Sequence, residues 1–328
     1  MLSVARYTGF SALAAEWDQL LAATPVRGPF LRWQWHSLWW ETFAESGDEL
    51  HLLAVRADGA LVGIAPLMLR LGRLSFSCGT DVSDYLDVIA RPHQGEAVGR
   101  ALAPHLRGLD WSLLALDSLP AEATALRHLA PNLEAAGLDV EVERQDTCPT
   151  AYLPSDWDSY LASLTKKDRH ELRRKVRRLE GAGRVAFYPL VGAEVTGRDV
   201  DDFLTLLRLS APEKAAFMDE RMEGFFRGLF VRFADDGLLR LYFLELAGRR
   251  VASALCFDSG EELLLYNSGY DPAYAGLSAG LVLKAYSLRD AIALGRKRFD
   301  FLRGDERYKY DLKGVDVPLY GLRVVRRS

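Results

Sequence analysis

The sequence predicts an α/β (α+β) protein of two domains, each with a mixed central sheet flanked by helices. Its 328 residues are 49% hydrophobic, enough for a large core that is divided between two domains. Both halves repeat one order of predicted elements: a hairpin, a strand, a helix and a second strand. Prolines interrupt regular structure between the halves, near residues 147–155. We therefore predict a first domain over residues 1–152 and a second over residues 153–316.

The first half contains four predicted features that follow from periodicity and turn residues. Strands over His51–Arg56 and Leu61–Leu69 flank a short turn with a glycine, which is typical of a hairpin. Alternating apolar residues then predict a strand over Tyr85–Ile89, which places Tyr85 and Asp87 on one face. A helix over about 94–106 and a strand over about 111–117 complete the set.

The second half repeats the pattern. A hairpin pairs Leu239–Ala247 with Val251–Phe257, and a short apolar strand follows at Leu263–Tyr266. Leucines and alanines then recur at helical spacing from Ser278 until Gly295, where a helix C-cap glycine is expected. Residues 298–303 alternate as a strand, and residues 304–310 form a polar turn rich in proton-transfer groups.

The turn before that helix predicts an anion site. Residues 271–280 read DPAYAGLSAG, so they bring free backbone N–H groups and the positive end of a helix dipole to one place. The alternative is that the turn only connects the strand to the helix and binds no anion. The anion hypothesis assigns phosphate binding to the last five residues of the turn, Gly276, Leu277, Ser278, Ala279 and Gly280.

A basic helix follows the domain boundary. Thr165 and Asp168 have the spacing of a helix cap, and Leu164, Leu172, Val176 and Leu179 form a narrow apolar seam. Lysines and arginines cover the remaining surface: Lys166, Lys167, Arg169, Arg173, Arg174, Lys175, Arg177 and Arg178. One interpretation is a solvated helix that is docked by its seam. The other is that Arg173 and Arg174 border the donor site and attract phosphates. No aromatic residue interrupts the segment, which favours charge attraction over recognition of a single-stranded nucleic acid.

The chain resembles a known family at several of these segments. The strings YDPAYAGLSAG and FDFLRGDERYKYDL, the basic helix, and PFLRWQWHSLWW, GALVGIAPLMLR and GTDVSDYLDVI in the first half resemble the BioF/CelD-like acetyltransferases. That family is a branch of the GNAT superfamily and is related to Fem-type peptidyl transferases, which use aminoacyl-tRNA. The resemblance implies two tandem GNAT-like domains, with a final strand within residues 317–328 that returns to the first domain.

The resemblance also implies chemistry. In GNAT-type transfer an acceptor amine attacks a thioester directly, here in a cleft between the domains, and backbone N–H groups polarise the carbonyl. Lys309 matches a functionally important lysine of Fem-type enzymes, and Asp84 or Asp87 corresponds to their aspartate. The general acid is one of three tyrosines, Tyr270, Tyr308 or Tyr310. The loop keeps only the first glycine of the usual GNAT pyrophosphate motif, so an aminoacyl-tRNA donor stays open.

Other features exclude function classes. Cys78, Cys148 and Cys256 are too scattered for a disulfide framework, and the histidines lack ligand spacing, so no metal is expected. Trp35 and Trp39 repeat at helical spacing, as core residues do. No membrane span or secretory signal is recognisable, which predicts a soluble cytoplasmic protein. Residues 1–150 carry 11 Arg and no Lys against 19 acids, a net charge of −8, whereas residues 151–328 carry 30 bases against 26 acids, a net charge of +4. The net positive charge of the second half favours binding of a negatively charged acyl donor.

The sequence thus predicts an N-acyltransferase that moves an acyl group, most simply acetyl, from acyl-CoA to an amine of a small molecule or an amino sugar destined for polysaccharide. The first alternative is a Fem-like enzyme that uses aminoacyl-tRNA. The second is an inactive sensor or scaffold whose loop binds a nucleotide-like ligand. The sequence predicts no oligomeric state.

Overall fold

A computed structural model describes residues 1–24 and 28–326 and divides the chain into two compact units. Unit 1 is Met1–Asp146 with Pro318–Ser328, and unit 2 is Thr147–Val317. The predicted boundary at residue 152 lies inside unit 2, because residues 150–152 form a strand of the second sheet.

The described residues contain strands that fall into two sheets. In chain order they are β1 (Leu2–Tyr7), β2 (Glu49–Ala57), β3 (Ala60–Arg70), β4 (Arg73–Phe76), β5 (Ile89–Ala90), β6 (Leu113–Pro120), β7 (Leu138–Thr147), β8 (Thr150–Tyr152), β9 (Val185–Val191), β10 (Leu239–Leu246), β11 (Arg249–Asp258), β12 (Glu262–Tyr270), β13 (Arg298–Asp300) and β14 (Pro318–Arg326).

Helices flank both sheets. They are α1 (Ala14–Ala22), α2 (Trp33–Phe43), α3 (Gly95–Gly108), α4 (Ala130–Ala135), α5 (Trp157–Ser163), α6 (Lys166–Glu180), α7 (Gly197–Ser210), α8 (Pro212–Phe217), α9 (Glu220–Arg232), α10 (Ala279–Ala293) and α11 (Arg307–Asp311). A π-helical turn spans Ala125–Leu129, and 3₁₀ turns span Gly192–Glu194 and Pro272–Leu277. In the described part of the chain, no helix is long and apolar enough to cross a membrane.

The sheet of unit 1 has the strand order β1-β2-β3-β4-β6-β14-β7, with β5 paired to β3. The predicted hairpin is present as β2 and β3, which pair antiparallel from Glu49 with Leu69 onwards. The tryptophan-rich segment forms α2 and packs into the core, since Phe30 and Trp35 are fully buried. The indole N–H of Trp35 donates a hydrogen bond to Ser83 Oγ at 2.9 Å.

The sheet of unit 2 has the order β8-β13-β12-β11-β10-β9, in which only the β12–β13 pairing is parallel among the described pairs. Helix α10 packs its apolar residues against one face of this sheet, together with the seam of α6. Helix α7 covers β12 near Gly269, where an added Cβ would lie 2.4 Å from the backbone of Leu206. Gly269 therefore allows the helix backbone to approach the strand closely.

The helix starts follow the expected physical chemistry. The Thr165 hydroxyl accepts a hydrogen bond from the Asp168 N–H at 3.1 Å, so α6 begins where the capping pattern predicts. Leu172 and Leu179 are buried on its inner side, and Leu164 is buried just before the helix begins. The apolar seam, rather than the charged surface, therefore fixes the helix in place.

Three predicted elements differ from the structure. Residues 85–88 are irregular, and only Ile89–Ala90 pair as a strand, so Tyr85 and Asp87 do not share a strand face. The strand predicted over residues 298–303 ends at Asp300. The polar turn contains α11, because the buried Lys309 fixes the chain there.

Candidate active site

The candidate site of unit 2 begins where two parallel strands diverge. β12 pairs with β13 only through Glu262–Leu264, and β12 then continues to Tyr270 with β11 as its neighbour. The chain leaves β13 at Phe301, whose N–H donates to the Pro149 carbonyl at 3.0 Å. A register shift opposite Leu255 and Cys256 adds a bulge to β12 at this position. The divergence opens one edge of β12 to a bound group.

The segment after β12 brings an uncapped helix N-terminus to the same end of the strand. The Asp271 carboxylate accepts a hydrogen bond from the Ala273 N–H at 3.0 Å and starts the 3₁₀ turn. Ser278 follows in the left-handed conformation, with φ of 57°, and its side chain makes no capping hydrogen bond to α10. The Leu281 N–H donates to the Ser278 carbonyl at 3.1 Å, and the two first-turn N–H groups before it have no side-chain acceptor, as in an anion site.

The two glycines of this loop have different surroundings. A Cβ at Gly276 would meet no atom within 4 Å, and the residue is exposed. A Cβ at Gly280 would lie 3.1 Å from the ring of Tyr270, so this glycine lets the tyrosine ring pack against the start of α10. A side chain at Gly276 would thus project into open space, whereas one at Gly280 would disturb packing.

Helix α6 reaches the loop through one arginine. Arg178 donates a hydrogen bond from Nη1 to the Gly276 carbonyl at 2.9 Å. Of the two arginines predicted to bind the donor, Arg174 forms a bidentate pair with Glu171 at 2.6 and 2.8 Å, and Arg173 lines a separate pocket beside α10. Arg178, rather than either of these two, is therefore the arginine with a hydrogen bond to the loop among the described contacts.

A group of charged residues lies beside the loop in unit 2, and we call Lys214, Lys284, Lys309 and Glu306 the lysine cluster. Lys309 is only 1% exposed. Its ammonium donates to the carbonyls of Leu302, Arg303 and Gly304 at 2.9, 2.7 and 3.1 Å, and it pairs with Glu306 at 2.8 Å. All of its donors are engaged, so in this arrangement Lys309 holds the 302–306 loop.

Lys284 faces the cluster from the second turn of α10. Its ammonium lies 4.8 Å from the centroid of the Tyr308 ring and donates to the Gly280 carbonyl at 3.3 Å. Burial lowers the pKa of Lys284 to about 8, helped by repulsion from Lys214 and opposed by the charge of Glu306. This amine can therefore gain or lose a proton near neutral pH.

Lys214 approaches the open part of β12 from α8. It donates hydrogen bonds to the Ser268 carbonyl and, at 3.4 Å, to Asn267 Oδ1. Burial lowers the pKa of Lys214, and the nearby Glu306 carboxylate opposes that shift. Burial raises the pKa of Glu306, but its hydrogen bond with Lys309 and the positive charges around it bring the net pKa below the ordinary value.

The three candidate tyrosines occupy different places. Tyr308 is half-buried under Lys284, packs edge-on against Phe301 with centroids 6.1 Å apart, and has its pKa raised by burial. Tyr270 packs on Gly280. Tyr310 is 38% exposed and donates its hydroxyl to Asp316 at 2.7 Å. Tyr308 is the one in contact with the lysine cluster.

The two candidate aspartates belong to unit 1. Asp84 is buried in an irregular segment. Asp87 accepts hydrogen bonds from the backbone N–H groups of Val88, Thr124 and Ala125 at 2.7, 2.7 and 2.9 Å. Burial raises the pKa of Asp87 to about 7, although these three hydrogen bonds favour the carboxylate. Asp87 thus caps the π-helical turn that starts at Ala125.

The sequence interpretation missed Lys284 and Lys214. Lys284 could have been recognised from the sequence, since it is the only charged residue in the otherwise apolar first two turns of α10, Ala279–Tyr286. Lys214 could not, because it lies in a short charged helix whose position against β12 depends on the tertiary fold.

Comparison with known proteins agrees with this geometry. Residues 166–310 match the sequence model of the acetyltransferase (GNAT) domain, and that segment contains α6, the loop, α10 and the lysine cluster. This segment therefore carries a GNAT acetyltransferase domain. No curated protein sequence matches it.

Solved structures establish the fold of the whole chain. FemX superimposes with a TM-score of 0.64 at 12% identity, over 97% of this chain and 96% of that chain. The C-terminal domain of a candidate lysylphosphatidylglycerol synthetase from Agrobacterium fabrum gives 0.63 at 10% identity, over 96% and 92%. A tandem GNAT protein from the clavulanic acid biosynthesis pathway gives 0.51 at 13% identity, over 99% and 98%. The predicted fold of two GNAT-like domains is therefore confirmed.

Proposed function

We propose that this chain is an N-acyltransferase that moves an acyl group, most simply acetyl, from acyl-CoA to an amine of a small molecule or an amino sugar used for polysaccharide. The observation that carries this proposal is the uncapped start of α10, which follows directly from the strand that diverges from its parallel neighbour. Nearby charges also support the proposal, because the lysine cluster and Arg178 place positively charged side chains beside the start of α10. CoA is made and used in the cytoplasm, where we place the reaction.

The proposal assigns parts of the acyl-transfer reaction to α10 and β12. The pyrophosphate of CoA binds the first-turn N–H groups of α10, and the thioester extends along the open edge of β12. The acceptor amine attacks the carbonyl carbon, a C–N bond forms and the C–S bond breaks. The amine loses one proton, and the departing thiolate gains one. Backbone N–H groups of β12 polarise the carbonyl oxygen.

Two side chains fit the proton transfers. We assign removal of the amine proton to Lys284, because its neutral form is populated near its pKa of about 8. We assign protonation of the thiolate to Tyr308, whose hydroxyl stays protonated because burial raises its pKa. We keep Asp84 and Asp87 as predicted residues of the acceptor site.

A pH profile tests the role of Lys284. kcat/KM should rise with pH to a plateau with an apparent pKa near 8, and Lys284→Gln should abolish this rise.

A second candidate is Fem-like transfer from aminoacyl-tRNA. The likeness to FemX over 97% of the chain favours it, as does the concentration of cations on α6. A tRNA that follows this helix would make several phosphate contacts, so its binding should weaken by roughly 0.7 to 0.9 log units per log unit of salt for each contact. Acetyl-CoA contributes only a pyrophosphate and a 3′-phosphate. Filter binding of charged tRNA against salt, beside calorimetry with acetyl-CoA, separates the donors.

Turnover tests the leading proposal. The assay follows thiol release from acetyl-CoA with a panel of amino sugars, diamines and amino acids as acceptors. We expect acceptor-dependent release by the wild-type protein. Absence of release with every acceptor, together with transfer from charged tRNA, would replace the leading proposal by the Fem-like one.

A further inference from the structure

A cavity of unit 2 lies between α5, α6 and α10. Its volume is about 180 Å³, which suits one ring system rather than a whole nucleotide. Leu161, Leu172 and Val176 form its apolar floor. Leu161 and Leu172 belong to the buried core, so the floor is continuous with the core of unit 2.

Aromatic side chains form two walls of the cavity. Trp157 lines it and is stacked on the buried Tyr160, with ring centroids 5.2 Å apart and planes 22° apart. Tyr286 also lines the cavity, and its hydroxyl donates to Glu180 at 2.8 Å. Both rings are thus held in place, and flat apolar faces of this kind bind planar rings.

Arginines form the rim of the cavity. Arg173, Arg177 and Arg289 line it, and the Arg289 guanidinium lies 4.5 Å from the Tyr286 ring centroid. Within residues 1–24 and 28–326, none of the three forms an ion pair, in contrast to Arg174 on the same helix. An apolar floor, two aromatic walls and unpaired guanidinium groups match a planar aromatic ring that carries phosphate.

The cavity lies next to the donor loop along the same two helices. Arg177 precedes Arg178, which contacts the Gly276 carbonyl. Tyr286 follows Ala279 by seven residues of α10, a rise of about 10 Å. A ligand whose pyrophosphate binds the start of α10 can therefore reach the cavity with an adjoining nucleoside.

We propose that this cavity binds the adenine ring of CoA and that its arginine rim contacts the 3′-phosphate. The proposal rests on the proposed acyl-CoA donor and names the part of the donor that the chain recognises. Charge complementarity selects a phosphorylated base over a neutral ring, and the aromatic walls select a base over an aliphatic chain.

The test compares four probes by calorimetry: acetyl-CoA, acetyl-dephospho-CoA, acetyl-pantetheine and adenosine 3′,5′-bisphosphate. The double variant Arg173→Gln/Arg177→Gln changes two exposed side chains, so it is expected to fold. The control Arg198→Gln/Lys297→Gln removes the same charge at exposed positions elsewhere in unit 2. We expect the wild-type protein to prefer acetyl-CoA over its dephospho form by about ten- to a hundredfold, as for a charge-assisted contact. The arginine variant should lose that preference, and the control should keep it.

Three further results are decisive. Full 3′-phosphate preference in Arg173→Gln/Arg177→Gln would overturn the cavity assignment and leave the proposed function intact. Failure of the wild-type protein to bind adenosine 3′,5′-bisphosphate, with normal acetyl transfer, would overturn it as well. Binding of the bisphosphate that depends on the two arginines, without any acetyl transfer, would instead support the cavity and contradict the proposed function.

Discussion

Lys309→Met is the substitution that separates a chemical role from a structural one most clearly. The resemblance to Fem-type enzymes assigns this lysine to the reaction, whereas its geometry engages the ammonium with three carbonyls and Glu306. Methionine has similar length and no donor. The variant therefore leaves the carbonyls of residues 302–304 without their hydrogen bonds.

The expected loss of stability follows from those contacts. Removal of one partner from a buried pair costs about 3–5 kcal/mol, because the remaining groups are left without a partner. The Glu306 side chain is 58% exposed and can be solvated again, so we expect the low end, about 3 kcal/mol. In a unit of this size, that loss lowers Tm by about 6–12 °C.

Thermal and urea unfolding measure the change, and turnover is assayed in parallel below the melting range. Lys297→Met is the matched control, because Lys297 is exposed and forms no ion pair within the described residues. We expect the control to melt with the wild-type protein. A Lys309→Met variant that also melts with the wild-type protein, but loses about 100-fold or more in turnover, would refute the structural role and restore the chemical one.

Three other substitutions test separate features. Gly276→Asp should weaken acetyl-CoA binding without a change in Tm, whereas Gly276→Ala should bind acetyl-CoA normally. The position is open, so only the negative charge opposes the phosphates. Equal affinity of the two variants for acetyl-CoA would remove the loop from the donor site. Asp87→Asn should lower the free energy of unfolding, measured in urea, by about 1–3 kcal/mol, because an amide cannot accept hydrogen bonds from all three N–H groups. Unchanged stability with lost turnover would contradict this capping role. His36 is fully buried with its pKa lowered to about 3, so the unfolded chain binds the extra proton below pH 6.5. Unfolding free energy should then fall by roughly 1.4 kcal/mol per pH unit between pH 6 and 4, and a His36→Gln variant with the same slope would exclude this residue as the cause.

Local patterns predicted much of the fold. Both hairpins, the Thr165 cap and the long helix near Gly295 depend on residues close together in sequence, and each is present in the structure. The segment at residues 81–88 is different. Its apolar residues are buried by contacts from other elements, so the alternation that predicted a strand reflects burial rather than pairing.

The candidate site was predictable only in part. The loop at residues 271–280 is a local feature, and the structure places it at the start of α10 as its glycines indicated. The lysine cluster is a tertiary feature, because α8, α10 and α11 contribute one lysine each from distant positions. The proposal of Tyr308 as the general acid depends on the position of Lys284, whose ammonium lies over the Tyr308 ring.

Native mass spectrometry of the protein purified from cells tests the proposed donor most directly. The account predicts a co-purifying mass of CoA or acyl-CoA, which is displaced by added acetyl-CoA and is lost in Gly276→Asp. A co-purifying tRNA, or an apoprotein that acetyl-CoA does not shift, would contradict it.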